Sequence, residues 1–320
     1  MKTILQFTIG QATAKLAASF MLSFFFLSAV FAGVIVSPAA TNTSISADKA
    51  ANAFAPEFTK LDDIIIREAR NDDFASSNGS FRTLILTAPV GWIFRPASAQ
   101  LFYDNRGDVR IASMTVDGTT VAIRVGVTAT LNLDAITIKG LEVQALDGAS
   151  INCPGKIYRS SINPGTARFN GIKITSVTDG SGGTAFATLD QTSGNATKLV
   201  FLTKPGQAVA GTILDQQPVL VTQDQFGNAT TTGLRSVQQV KIKLASGTGS
   251  LAGTLVFNIG TAGGNGIVVC DNIQLNNPGT KKLIATSGDL TFAVTNEFSV
   301  SEDEMSTLVD EENADWICRL

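Results

Sequence analysis

Two small groups of side chains in this sequence have types and spacing suited to chemistry: one aromatic, one acidic. Trp92, Phe94, Phe102 and Tyr103 are the one aromatic concentration beyond the N-terminal apolar run. Aromatic faces on a β-sheet stack on sugar rings, so Trp92 and Tyr103 are the candidate ligand-binding residues. Trp92 also follows Pro89-Val90-Gly91 at a strand start, the usual place of a core tryptophan, and the sequence leaves both readings open. Asp62-Asp63 and Asp72-Asp73 are the close acidic pairs of the first half. A glycosidase needs two carboxylates facing each other across a cleft. Adjacent acids beside the apolar run 64–66 and after Arg70 suit turns and loop caps better.

The remaining chemistry is thin. The 320 residues contain no histidine, which removes Ser-His-Asp and Cys-His nucleophilic machinery and the common His-containing zinc sites. Cys153, Cys270 and Cys318 are an odd, widely spaced set with no CxxC pattern. Cys270 follows Ile267-Val268-Val269 and reads as a small core residue; a Cys153–Cys318 bridge is left open. Gly180-Ser181-Gly182-Gly183 and Gly263-Gly264-Asn265-Gly266 precede strand-like runs and lack the lysine of a phosphate loop. Asp224 offers a single carboxylate, too few for calcium by itself. Asn42, Asn78, Asn195 and Asn228 each begin an Asn-x-Ser/Thr sequon. The expectation is no catalytic residue, no cofactor, no metal and no enzymatic activity.

The elements that must position these residues are strands. From 61 to 300 the chain runs through short stretches rich in β-branched residues, bounded by turn formers such as Asp117-Gly118 and Asp147-Gly148, with no sustained helical period. Val240-Lys241-Ile242-Lys243-Leu244 alternates with period two, placing Val240, Ile242 and Leu244 inside and both lysines in water. The fold class is therefore all-β, with two tandem β-sandwich domains separated by the Gln191-to-Ala196 stretch. Residues 57–195 form the first and 197–300 the second, each large enough for its own core. Leu199, Phe201, Val219, Val221, Ile242 and Leu244 are expected in the second core. Residues 301–320 read as an acidic tail, in which Ser301 and Glu304 match a capping box before a short amphipathic stretch.

Lys2 and Lys15 are the only charges before Asp48, and residues 16–36 form an uncharged apolar run. This reads as an export signal with leader over 1–40, followed by a flexible linker over 41–56. Val30-Phe31-Ala32 and Pro38-Ala39-Ala40 are the processing sites on offer. The chain is then exported, at the cell surface or beyond it, touching membrane only through the N-terminal segment if that stays uncleaved. With 24 Lys plus Arg against 27 Asp plus Glu and no basic block, nucleic acid is not a partner.

The stretch Lys198-Leu199-Val200-Phe201-Leu202-Thr203-Lys204-Pro205-Gly206, followed by Val221, Asp224, Gly227 and Asn228 in a Val-x-x-Asp-x-x-Gly-Asn turn, resembles bacterial Ig-like modules of the invasin and adhesin type. Gly279-Thr280-Lys281-Lys282-Leu283-Ile284-Ala285 is similar to their penultimate strand, with Lys281 where the pattern has an aromatic. The first half, through Leu84 to Trp92 and Pro164-Gly165-Thr166, resembles cohesin-like or surface-layer-associated sandwiches. The resemblance implies a surface or secreted structural or adhesion protein, with a cell-surface or extracellular protein or glycan as partner. Two alternatives stand beside it: a carbohydrate-binding protein using Trp92 and Tyr103, and a non-catalytic accessory of a secreted polysaccharide-degrading system.

Overall fold

The computed structural model describes residues 33–302, apart from 75, 78, 79, 105 and 161–175. The signal before residue 33, the strand read at 168–174, Pro164 to Thr166, the Asn78 sequon, Cys318 and the tail beyond residue 302 lie outside the described residues. Within them the chain is all-β, with one turn of 3-10 helix, Ala47–Lys49. No described helix is long and apolar enough to cross a membrane.

Two hydrophobic cores form. The first lies among three sheets. One takes Ile35–Ser37, Ile64–Arg67, Ala135–Lys139 and Gln100–Tyr103 in that spatial order. A three-stranded sheet holds Thr59–Lys60, Glu142–Ala145 and Trp92–Phe94. The third runs Ser44–Ser46, Ala185–Thr192, Gly155–Arg159, Arg82–Thr87, Thr120–Val127 and Val109–Val116. Ile64, Ile66, Ile136, Ile138, Leu84, Leu86, Ile123 and Phe186 are fully shielded between them. Alternate residues of a strand point to opposite faces, so Ile64 and Ile66 go inward while Ile65 stays half-exposed.

The second core has Leu199, Phe201, Leu220, Val240, Ile242, Leu283 and Ala285 at its centre. Its longest strand, Gly279–Ser287, pairs at its start with Phe298–Ser301, then with Gln239–Ser246 on one side and Leu290–Val294 on the other. The 240–244 alternation is realised, Ile242 opposite Ala285 and Lys243 exposed opposite Ile284. Cys270 is buried, and that burial, with the charge of Asp271, pushes its thiol up to about 12, so it stays a neutral core group.

Two expectations need correction. Residues 41–56 are not a flexible linker: Ser44–Ser46 is a strand parallel to Ala185–Thr192, and Ile45, Ala47 and Ala50 are buried. Val34 and Ala39 are buried too, so the first core recruits chain well before residue 57. Alanine and serine dilute the apolar signal here, leaving Ser44-Ile45-Ser46 as its one period-two trace. In Val219–Gln223 Leu220, opposite Phe201, joins the second core cluster, while Val221 is buried outside that cluster and Val219 is only half-buried. Ser301 closes the strand Phe298–Ser301, and its hydroxyl donates to the Ala208 carbonyl (3.2 Å); Glu304, the other half of the expected capping box, lies outside the described residues.

Candidate functional site: the joint between the two sandwiches

The structure does not bring the sequence-derived ligand residues together. Trp92 is 5% exposed in the strand Trp92–Phe94, packed in the first core with Phe94. Tyr103 lies on the edge strand Gln100–Tyr103 of a different sheet, opposite Ile136. A stacking platform needs an exposed ring face, so Trp92 is core and the pair forms no platform. The exposed ring beside Tyr103 is Phe102, with the Lys139 ammonium 5.0 Å above it.

Three of the four acids in the close acidic pairs have structural partners. Asp62 accepts from the Thr41 backbone (3.0 Å) and from its hydroxyl, and Asp63 pairs with Lys139 (3.1 Å). Asp73 accepts from the Ala69 and Arg70 N–H groups at 3.0 and 2.8 Å. Unforeseen is a relay of buried carboxylates. Glu68 accepts from the Phe74 and Asp134 N–H groups (2.7 and 2.9 Å), Asp134 accepts from that of Asp108, and Asp108 accepts from those of Leu131 and Asn132. Each acid ties a loop to its neighbour.

Burial lifts the Glu68 carboxyl above its ordinary 4.5, and the charges of Asp134 and Asp73 add to this against the two N–H bonds. Burial likewise raises Asp134. A carboxyl raised in the folded state holds its proton more tightly there than in the unfolded chain. Its stabilising contribution is therefore complete below 4.5 and lost as pH climbs through the raised value. The urea midpoint is expected to fall between pH 4.5 and neutrality, with a flatter fall in Glu68→Gln. An unchanged slope in the variant removes Glu68 as the cause.

Among the described residues a dense polar constellation lies where the two cores meet. Asp224, fully buried, accepts four hydrogen bonds: from the N–H groups of Gly194 (2.8 Å), Phe226 (3.0 Å) and Asn228 (2.9 Å), and from the Asn228 amide (2.8 Å). Gly227, at φ +94°, supplies the left-handed residue that lets the loop close on its own aspartate. The aspartate thus fastens the connecting segment and the 224–228 loop together.

That loop then reaches the first sandwich. Phe226 packs against the first core, over Gly148, where an added Cβ would lie 2.1 Å from the ring. The Asn228 amide donates to the Gly148 carbonyl (2.9 Å), and the Phe54 N–H donates to the Gln225 side chain (2.9 Å). From the other side Asp48 accepts from the Asn195 N–H (2.7 Å) and the Gln225 amide (2.9 Å). An added Cβ on Gly194 would strike Asp48 at 2.2 Å, so the connector is pressed onto the first sandwich. Both Asn228 amide hydrogens are engaged, which ties this sequon into the joint. Asp48 and Phe54 belong to the stretch expected as linker, and Asp224, Gly227 and Asn228 to the turn carrying the Ig-like resemblance.

Lys281, the departure from that resemblance, is also buried; its ammonium donates to the Thr248 and Pro278 carbonyls at 2.8 and 2.9 Å. It fills the aromatic position with its methylene stem and satisfies its charge on backbone oxygens. Among the described residues no group of three or more Cys, Asp or Glu could hold a metal ion.

No family model and no curated protein matches the chain. Among solved structures, the chain is similar to the D00-D0 domain of intimin (TM-score 0.31, 13% identity, over 83% of this chain and 98% of that one). It is also similar to BcpA, the major pilin subunit of Bacillus cereus (0.27, 11%, over 85% and 67%). A third is the pilus backbone RrgB of Streptococcus pneumoniae (0.26, 8%, over 84% and 57%).

Proposed function

We propose that this protein is an exported, non-enzymatic structural or adhesion component of a cell surface, in which two β-sandwiches act as one stiff spacer. The observation that carries the reading is the joint. A loose tether needs no buried aspartate, no aromatic plug and no glycines pressed against a partner, whereas a spacer that must hold an angle under load needs all three. Its partner is a cell-surface or extracellular protein or glycan. The uncharged run before residue 37 supplies the export route.

The fold narrows where that route ends. Cutting after Pro38-Ala39-Ala40 would discard the strand Ile35–Ser37, which pairs with Ile64–Arg67, together with buried Val34 and Ala39. Cutting after Val30-Phe31-Ala32 keeps all of them. Fractionation of the native host followed by N-terminal sequencing is expected to find the protein outside the cytoplasm and beginning at Gly33. An unprocessed cytoplasmic protein would overturn the proposal; an exported one starting at Thr41 would refute the processing site alone.

A further inference from the structure

A cavity of about 620 Å³ opens in the second sandwich between the Leu290 hairpin turn and the 233–239 loop, beside the connector residue Ala196. Its volume is that of a small-molecule site. Its walls differ from a hydrophobic crevice. Gln238, Gln239 and Thr286 bring amide and hydroxyl groups, and Arg235 and Lys241 bring two cations. The Arg235 guanidinium meets Asp289 at 3.4 Å, but both are well exposed, so that pair is weak and readily exchanged. Lys241 stands on the outer face of its strand opposite Thr286. Ser287 is 3% exposed, yet its hydroxyl has no hydrogen-bond partner in the protein. That hydroxyl lies on the inward side of its strand with Leu283 and Ala285, so Ser287 borders the cavity without offering its hydroxyl to it.

Neutral donors and acceptors in this density match the hydroxyls of a sugar, and two cations among the lining residues match an acid group on it. No aromatic ring lines the cavity, so recognition is by hydrogen bonds and charge rather than stacking. We propose that this cavity binds an acidic saccharide. Arg235 and Lys241 hold its carboxylate, and Gln238, Gln239 and Thr286 take its hydroxyls. The assignment goes beyond the spacer reading and does not depend on where the protein resides.

The test is a titration of the purified exported chain with glucuronate, N-acetylneuraminate, neutral glucose and inorganic phosphate, followed by protein-detected NMR and calorimetry. At least one of the two acidic sugars is expected to bind at millimolar concentration or below, shifting resonances of 235–241 and 286–289. Glucose and phosphate are expected to bind at least about tenfold more weakly. Arg235→Gln combined with Lys241→Gln, both exposed and clear of the core, should weaken the acidic sugar by about tenfold or more. Gln239→Ala, at another exposed lining residue, should weaken it several-fold without lowering the melting temperature. Binding of neither acidic sugar, equal binding of glucose, or equal binding of phosphate each overturns the proposal. Because the titration uses purified protein, its failure is distinct from failure of the localisation experiment.

Discussion

Asp224→Ala will unfold the joint before it unfolds either sandwich. The substitution strands four donors that now end on one fully shielded carboxylate. Removing a buried charged acceptor while leaving its donors in place costs about 3–5 kcal/mol. The loss falls on the connector at Gly194 and on the loop that carries Phe226, so the two cores should uncouple. Thermal unfolding followed by calorimetry is expected to change from one transition to two, with the second sandwich melting first. Asp224→Asn keeps one acceptor oxygen and should give an intermediate shift. Phe226→Ala should also separate the transitions, because it withdraws the ring from Gly148 without touching the aspartate. Two transitions already resolved in the parent protein would show that the joint does not couple the cores.

Ile242→Asp is the second large effect. Ile242 is 2% exposed and faces the second core opposite Ala285. A carboxylate there has neither water nor a partner, so either the charge is buried or the group takes up a proton and leaves its hydrogen bonds unmade. The expected loss is about 3–5 kcal/mol. Lys243→Asp, one residue on and exposed, should cost under about 1 kcal/mol. Equal shifts in melting temperature for the two would place both residues on one face and require a strand register displaced by one residue.

The contrast between those neighbours was legible because charge and apolar residues alternate strictly from 240 to 244. Ile64 and Ile66 were legible as strand residues, though not which of them face inward, since Ile65 between them is also apolar. In Val219–Gln223 three apolar residues run together, and parity came from the cross-strand partner Phe201, which no local pattern reveals. The early segment was hidden differently. Ile45 is one apolar residue in a run of alanine, serine and threonine, and its strand forms only by pairing with residues almost 150 positions later. Trp92 carried two readings, and burial decided between them. The Asp224–Asn228 loop was readable as a turn, because Asp, Gly and Asn bond their own backbone. That the same turn grips Gly148, 80 positions away, could not be read locally. The carboxylate relay from Glu68 to Asp108 spans three separate loops and leaves no motif at all.

The order in which the chain enters and leaves each sandwich has a mechanical meaning. In the first, Ser44–Ser46 lies parallel to the closing strand Ala185–Thr192; in the second, Ala208–Val209 lies parallel to the closing strand Phe298–Ser301. Parallel neighbours at opposite ends of one module are pulled past each other when the chain is stretched from its two ends. Their hydrogen bonds are then loaded together in shear instead of being opened one at a time like a zipper. A tensile force must break each set at once, and each clasp ties an early segment of its module to the strand that closes it.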